Sequence, residues 1–206
     1  CKTAEYCGRE CQAAHWPLHK PRCKVIRGVR LAKALRETGY PSLVQAALAG
    51  DLVAVRALVA AGAYVKEADA GGFTPVYAAA AKGHLDGVRY LAEKGANIHQ
   101  AKNDGITPTF IAAQEGHIDI VRCLAEGGAN LDQARNDGRT PTSIAAQEGH
   151  IDVVRFLAEK GVNLDQANNV GDTPMLTPRS RAAWTWCVAS QRKGPAPTKR
   201  TIMTAA

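Results

Sequence analysis

An all-α solenoid of stacked helix pairs is the fold that this 206-residue sequence predicts. Three observations predict it. A period of 33 residues runs through the centre, marked by Gly72, Gly105, Gly138 and Gly171. Each period opens on a threonine–proline pair: Thr74-Pro75, Thr107-Pro108, Thr140-Pro141 and Thr173-Pro174. A Gly-His step follows at Gly83-His84, Gly116-His117 and Gly149-His150. Residues 104–136 and 137–169 differ at 7 of 33 positions and agree at 26, which coincidence does not supply. A unit this short cannot bury an apolar face alone, so neighbouring units must stack.

Every unit reads in the same order. The threonine hydroxyl can cap the first free amides of a helix, and the fixed φ of proline suits its first turn. The pairs Ala79-Ala80, Ala112-Ala113 and Ala145-Ala146 let this first helix approach its neighbours closely. Gly83, Gly116 or Gly149 then ends it, where a left-handed residue is cheap. A second helix carries apolar residues at i and i+3, as in Val88/Leu91, Val121/Leu124 and Val154/Leu157. It stops at Gly95, Gly128 or Gly161, and Asn-Asp-Gly segments make the projecting turns that follow.

The ends of the array depart from this pattern. An earlier unit at 40–70 keeps Gly50, Val55 and Leu58 in register, but Pro41-Ser42 stands where Thr-Pro would be, as a capping unit would have it. A fifth unit opens with Gly171-Asp172-Thr173-Pro174-Met175-Leu176 and then fails, because Thr177-Pro178-Arg179 replaces the alanine pair. The expected organisation is a metal-binding module at 1–23, a basic linker at 24–39 with a helix from Val25 to Glu37, about four repeats plus the broken fifth over 40–176, and a basic, disordered tail at 177–206. The chain opens on Cys1 rather than Met, so further sequence is expected upstream.

The central pattern resembles the ankyrin repeat. Asp104-Gly105-Ile106-Thr107-Pro108, Ile111-Ala112-Ala113, Gly116-His117 and Gly128-Ala129-Asn130 stand at that family's spacing. Thr109 and Thr142 occupy the family's usual leucine position, and Tyr77, Phe110 and Ser143 its usual histidine position, so the stability expected is below that of a consensus array. The resemblance implies partner contact at the turn tips and on the concave side of the first helices. By family register these positions are Lys102, Asp104, Ile106, Gln114, Arg135, Asp137, Arg139 and Gln147, and for any single one a solvated face is an equally simple alternative.

The N-terminus holds the one chemical constellation, Cys1-x5-Cys7-x3-Cys11-x7-His19-x3-Cys23. Crowded thiolates and an imidazole at this spacing suit tetrahedral zinc better than a disulfide framework. The pairs Tyr6-Cys7, Cys11-Gln12, His15-Trp16 and His19-Lys20 resemble the second half of a MYND-type finger. That resemblance implies two interleaved zinc sites in a complete finger, with Cys1 as the fourth of eight ligands. Cys7 and Cys11 would then complete one site, and Cys1, His19 and Cys23 would share another lacking one ligand, so at most one zinc is expected here. His15 does not align with a ligand. The resemblance also places Gln12 and Trp16 where such fingers dock proline-containing peptides, with packing against the zinc core as the alternative for Trp16.

Two further temptations fail on geometry and register. His84, His117 and His150 would lie about 8–10 Å apart on stacked helices. Zinc holds each nitrogen at about 2.0–2.1 Å, so a structural role at the turn is expected. Cys123 falls in the column of Ala57, Tyr90 and Phe156 and reads as a packing residue.

The net charge of +7 is uneven: residues 1–40 carry +6, residues 40–176 carry −5 and residues 177–206 carry +6. An acidic body argues against a nucleic-acid surface. A binder built on Lys24, Arg27, Arg30, Lys33 and Arg36 stays as an alternative, although no aromatics interleave them. No apolar run approaches the roughly 18 residues of a spanning helix and no secretory leader precedes the cysteines, so a cytoplasmic or nuclear location is expected. No paired carboxylate, nucleophile–base arrangement or phosphate loop is visible, and Gly71-Gly72 belongs to a repeat turn. The expected function is a non-enzymatic, zinc-binding adaptor for protein partners. A piece of a larger MYND-containing enzyme, such as a lysine methyltransferase, is the alternative.

Overall fold

The computed structural model describes residues 29–173. A helix over 29–38 leads into paired helices: α1 (Leu43–Ala49) with α2 (Leu52–Ala60), α3 (Pro75–Ala81) with α4 (Leu85–Glu93), α5 (Pro108–Gln114) with α6 (Ile118–Glu126), and α7 (Pro141–Glu148) with α8 (Ile151–Glu159). No strand occurs among the described residues. The fifth unit beyond Thr173 and the tail at 177–206 lie outside them.

The caps form where the sequence places them. The hydroxyls of Thr74, Thr107 and Thr140 accept from the amides of Tyr77, Phe110 and Ser143 at 3.1, 3.1 and 3.2 Å. Ser143 also returns the bond, its hydroxyl accepting from the Thr140 amide at 2.9 Å to close a capping box. The first unit keeps its cap by another route. Ser42 stands after Pro41 rather than before it, and its hydroxyl accepts from Gln45 N–H at 3.2 Å, so α1 starts without a Thr-Pro pair.

First helices α1, α3, α5 and α7 stack in one layer, and second helices α2, α4, α6 and α8 in another. The alanine pairs of α3, α5 and α7 are fully buried, because small side chains let the first helices close on one another. Leu58, Leu91, Leu124 and Leu157 fill the space between layers in one continuous core. Cys123 packs half-buried against that core.

Two of the turn histidines are hydrogen-bonded to the repeat before. Nε2 of His150 lies 2.9 Å from the Gln114 carbonyl oxygen, and Nε2 of His84 lies 3.2 Å from that of Leu48. A carbonyl only accepts, so Nε2 carries the proton in both. The rings lie directly over Gly50, Gly83 and Gly116, where a β-carbon would collide with them. No group of three or more metal-ligating side chains occurs among the described residues.

Thr109 and Thr142 replace leucine inside this core, and both are buried. The Thr142 hydroxyl has no hydrogen-bond partner. A buried orphan hydroxyl costs about 1–3 kcal/mol. Thr142→Val keeps the shape and removes the orphan, and is expected to stabilise the array by about 1 kcal/mol; a urea midpoint that fails to rise would show that the hydroxyl finds a partner in solution.

Candidate partner-binding surface

The tips that project from the stack are short, closed turns. Lys102 N–H donates to the Ile106 carbonyl and Gly105 N–H to that of Lys102, both at 2.9 Å. One repeat later Arg135 N–H donates to Arg139 at 2.8 Å and Gly138 N–H to Arg135 at 2.9 Å. Within each turn the aspartate closes a further ring, Asp104 accepting from Ile106 N–H at 3.2 Å and Asp137 from Arg139 N–H at 3.1 Å. Asparagines then bind one tip to the next. The Asn136 amide N–H donates to the Asp104 carbonyl at 3.3 Å and its side chain to that of Asn103 at 3.4 Å. Asn169 repeats both contacts at 3.0 and 3.2 Å. A ladder of this kind holds surface residues at a fixed pitch, which isolated loops would not do.

The tip charges pair within themselves. Lys102 Nζ lies 2.9 Å from Asp104 Oδ2 and 4.8 Å above the Phe73 ring. Arg135 and Arg139 both approach Asp137 Oδ2, at 3.6 and 3.7 Å. Ion pairs this exposed contribute about 0–1 kcal/mol, so a partner can open them at little cost.

Rigid tips on a 33-residue stack are what the comparisons with known proteins match. A family model described as ankyrin repeats (3 copies) covers residues 23–102 and 95–168. The chain belongs to the ankyrin-repeat family. A MYND finger model matches residues 1–23. No curated protein matches the chain. Ankyrin repeats and MYND fingers are non-catalytic modules of protein–protein interaction, and MYND fingers bind zinc.

On the ankyrin array the residues singled out from sequence fall in three groups. Lys102, Asp104, Arg135, Asp137 and Arg139 stand together on the tips, all half-buried. Gln114 and Gln147 are half-buried at the ends of α5 and α7, their amides donating to Glu115 and Glu148 at 3.3 and 3.2 Å. Ile106 is a correction. It is 8% exposed and belongs to the core, because its apolar side chain turns inward where Arg139, in the same column, stays out. The proposed ligands Cys1, Cys7, Cys11, His19 and Cys23, together with Gln12 and Trp16, lie outside the described residues.

Electrostatics adds residues that the sequence reading passed over. Burial pushes the Asp104 carboxyl up, but the Lys102 hydrogen bond, the Ile106 amide and the Lys102 and Arg135 charges outweigh it and hold it below the usual carboxylate value. Tyr77 moves the other way: burial first, then the Asp104 and Glu115 charges, raise its phenol above the ordinary value against the pull of Arg135. Tyr77 therefore feels the charges of Asp104 and Arg135 on the tips. The only signal in the sequence was the tyrosine at a position the family gives to histidine.

No helix among the described residues is long and apolar enough to cross a membrane.

Proposed function

We propose that this ankyrin protein is a non-enzymatic adaptor. The tips and concave face of repeats two to four hold one protein partner, and the MYND finger holds a proline-containing peptide at Gln12 and Trp16. The observation that carries the reading is the hydrogen-bonded tip ladder, which presents Lys102, Asp104, Arg135, Asp137 and Arg139 as one pre-organised polar surface. A rigid surface loses little entropy on binding, which is what an interaction module needs. The donor set of Cys1, Cys7, Cys11, His19 and Cys23 suits zinc, which would fold the finger around itself. A zinc–thiolate module fits a reducing compartment, so cytoplasm or nucleus is part of the same proposal.

Two measurements test it. Cross-linking mass spectrometry of the chain with a bound partner is expected to place cross-links at Lys102 on the tips. Cross-links confined to Lys94 and Lys160, just past the second helices, would move the interface to the other layer. Native mass spectrometry is expected to show at most one zinc, lost in His19→Ala. Two zincs would overturn the ligand set, and none would remove the finger from the reading.

A further inference from the structure

The first unit is the open end of the stack. Interior first helices are covered on every side, with six successive residues buried in α3 (75–80) and in α5 (108–113). α1 buries a single stripe, Leu43, Ala46 and Ala47, as a helix does when one flank is uncovered. Val29, Leu48, Val53 and Tyr64, four of the five large apolar side chains exposed among the described residues, belong to this end. A groove of about 270 Å³ opens here between the 29–38 helix, the start of α1 and the loop after α2. Leu31, Leu35, Val44 and Tyr64 give it an apolar wall, and Glu67 and Asp69 are the charged groups among its described lining residues. Asp69 is held in place, its Oδ1 accepting from the Gly71 and Phe73 amides at 2.9 Å each. Neither carboxylate makes an ion pair with a described residue. The nearby cations are engaged or face elsewhere. Lys33 pairs with Glu37 at 3.6 Å, Arg36 Nε donates to the Ala32 carbonyl at 3.3 Å, and Lys66 lines a separate groove with Ile98 and His99. Arg30 stands outside the lining, about 100° round the helix from Leu31.

We propose that this groove docks the finger of the same chain, taking Trp16-Pro17-Leu18 against Leu31, Leu35, Val44 and Tyr64 and setting Lys20 and Arg22 towards Glu67 and Asp69. Leu18 stands eleven residues before residue 29. That is a reach of about 36 Å when extended, against about 15 Å for the whole 29–38 helix, so the segment can fold back over the groove. Residues 16–28 hold Lys20, Arg22, Lys24 and Arg27 and no acidic residue, which complements the two carboxylates of the groove. The tether makes the contact intramolecular, so a modest apolar surface suffices to hold it. An indole seated in the groove is withheld from the proline-containing peptide, and the first repeat then competes with that peptide for Trp16. This last consequence rests on the peptide reading, whereas the docking itself does not.

The test is zero-length carbodiimide coupling of the full chain, read by peptide mass spectrometry. Lys20 is expected to join Glu67 or Asp69, with the Lys102–Asp104 pair at 2.9 Å as the internal control. Coupling a mixture of nitrogen-14 and nitrogen-15 protein separates links within one chain from links between two. Leu18→Asp, at a residue outside the zinc-ligand set, is expected to lose the link and to shift the amides of Leu31, Leu35, Val44 and Tyr64. Should Leu18→Asp lose zinc, Tyr64→Ser carries the test from the groove side, and is expected to lower the yield of the link about threefold or more. Lys20 joined to other carboxylates alone, or a link that keeps its yield in both variants, would overturn the dock. Mixed-isotope links would overturn it too, by making a second copy the occupant. A natural partner that cross-links at Lys102 after either of those results would leave the adaptor reading standing. The Lys20 link with partner cross-links confined to Lys94 and Lys160 would do the reverse.

Discussion

Gly116→Val is expected to destabilise the array by about 3 kcal/mol, through two costs that add. The residue sits at φ 75°, where a β-branched side chain pays about 1–2 kcal/mol. Its β-carbon would also land on the His150 ring, at 2.5 Å from Nδ1. The ring must then swing away and give up its bond to the Gln114 carbonyl, at about 1 kcal/mol more. Gly128→Ala supplies the control. Its φ is 81° and nothing lies within 4 Å of the place its β-carbon would take, so only the backbone cost of about 1 kcal/mol applies. Urea midpoints of the two variants should differ clearly. Equal losses would mean that the histidine contact between repeats contributes nothing.

Leu124→Ala should cost about 2–5 kcal/mol, the range for emptying a leucine-sized space in a packed core. Leu124 is fully enclosed between the layers in a central repeat. A solenoid repeat touches chiefly its neighbours, so a cavity there weakens both junctions of repeat three at once. The unfolding curve is therefore expected to broaden or split relative to wild type, with the units before and after it melting apart. Leu48→Ala, at a side chain 37% exposed, should do little by comparison. A single sharp transition at an unshifted midpoint in Leu124→Ala would contradict the nearest-neighbour picture.

Much of the fold was legible because its devices are local. A threonine before a proline can cap only the helix that follows it, and Gly83, Gly116 and Gly149 can end only the helix before them. Repetition at 33 residues then carried the local reading over the whole array. The histidines were legible for a different reason: the Gly-His step set them at the turn between helices, where His84 and His150 bond the repeat before. Less of the candidate surface could be read this way. The family register located the tip columns, and Lys102, Asp104, Arg135, Asp137 and Arg139 do stand together there. Ile106 shares a column with Arg139 and was expected outside, but a column in a repeat fixes a position on the backbone and leaves the direction of each side chain to its polarity and neighbours.

By itself, then, the sequence determined the helix pairs, their caps, their stacking order and the small-residue seam between first helices. These follow from spacing and from the conformational limits of proline, glycine and threonine. Only the tertiary structure decided that the Thr142 hydroxyl is left without a partner, that Ile106 turns into the core, and that Tyr77 is buried. Each depends on which groups from different repeats meet, and at what distance. A period predicts that repeats meet, while the hydrogen bonds made or missed at the meeting are set by side-chain volumes and directions across the junction.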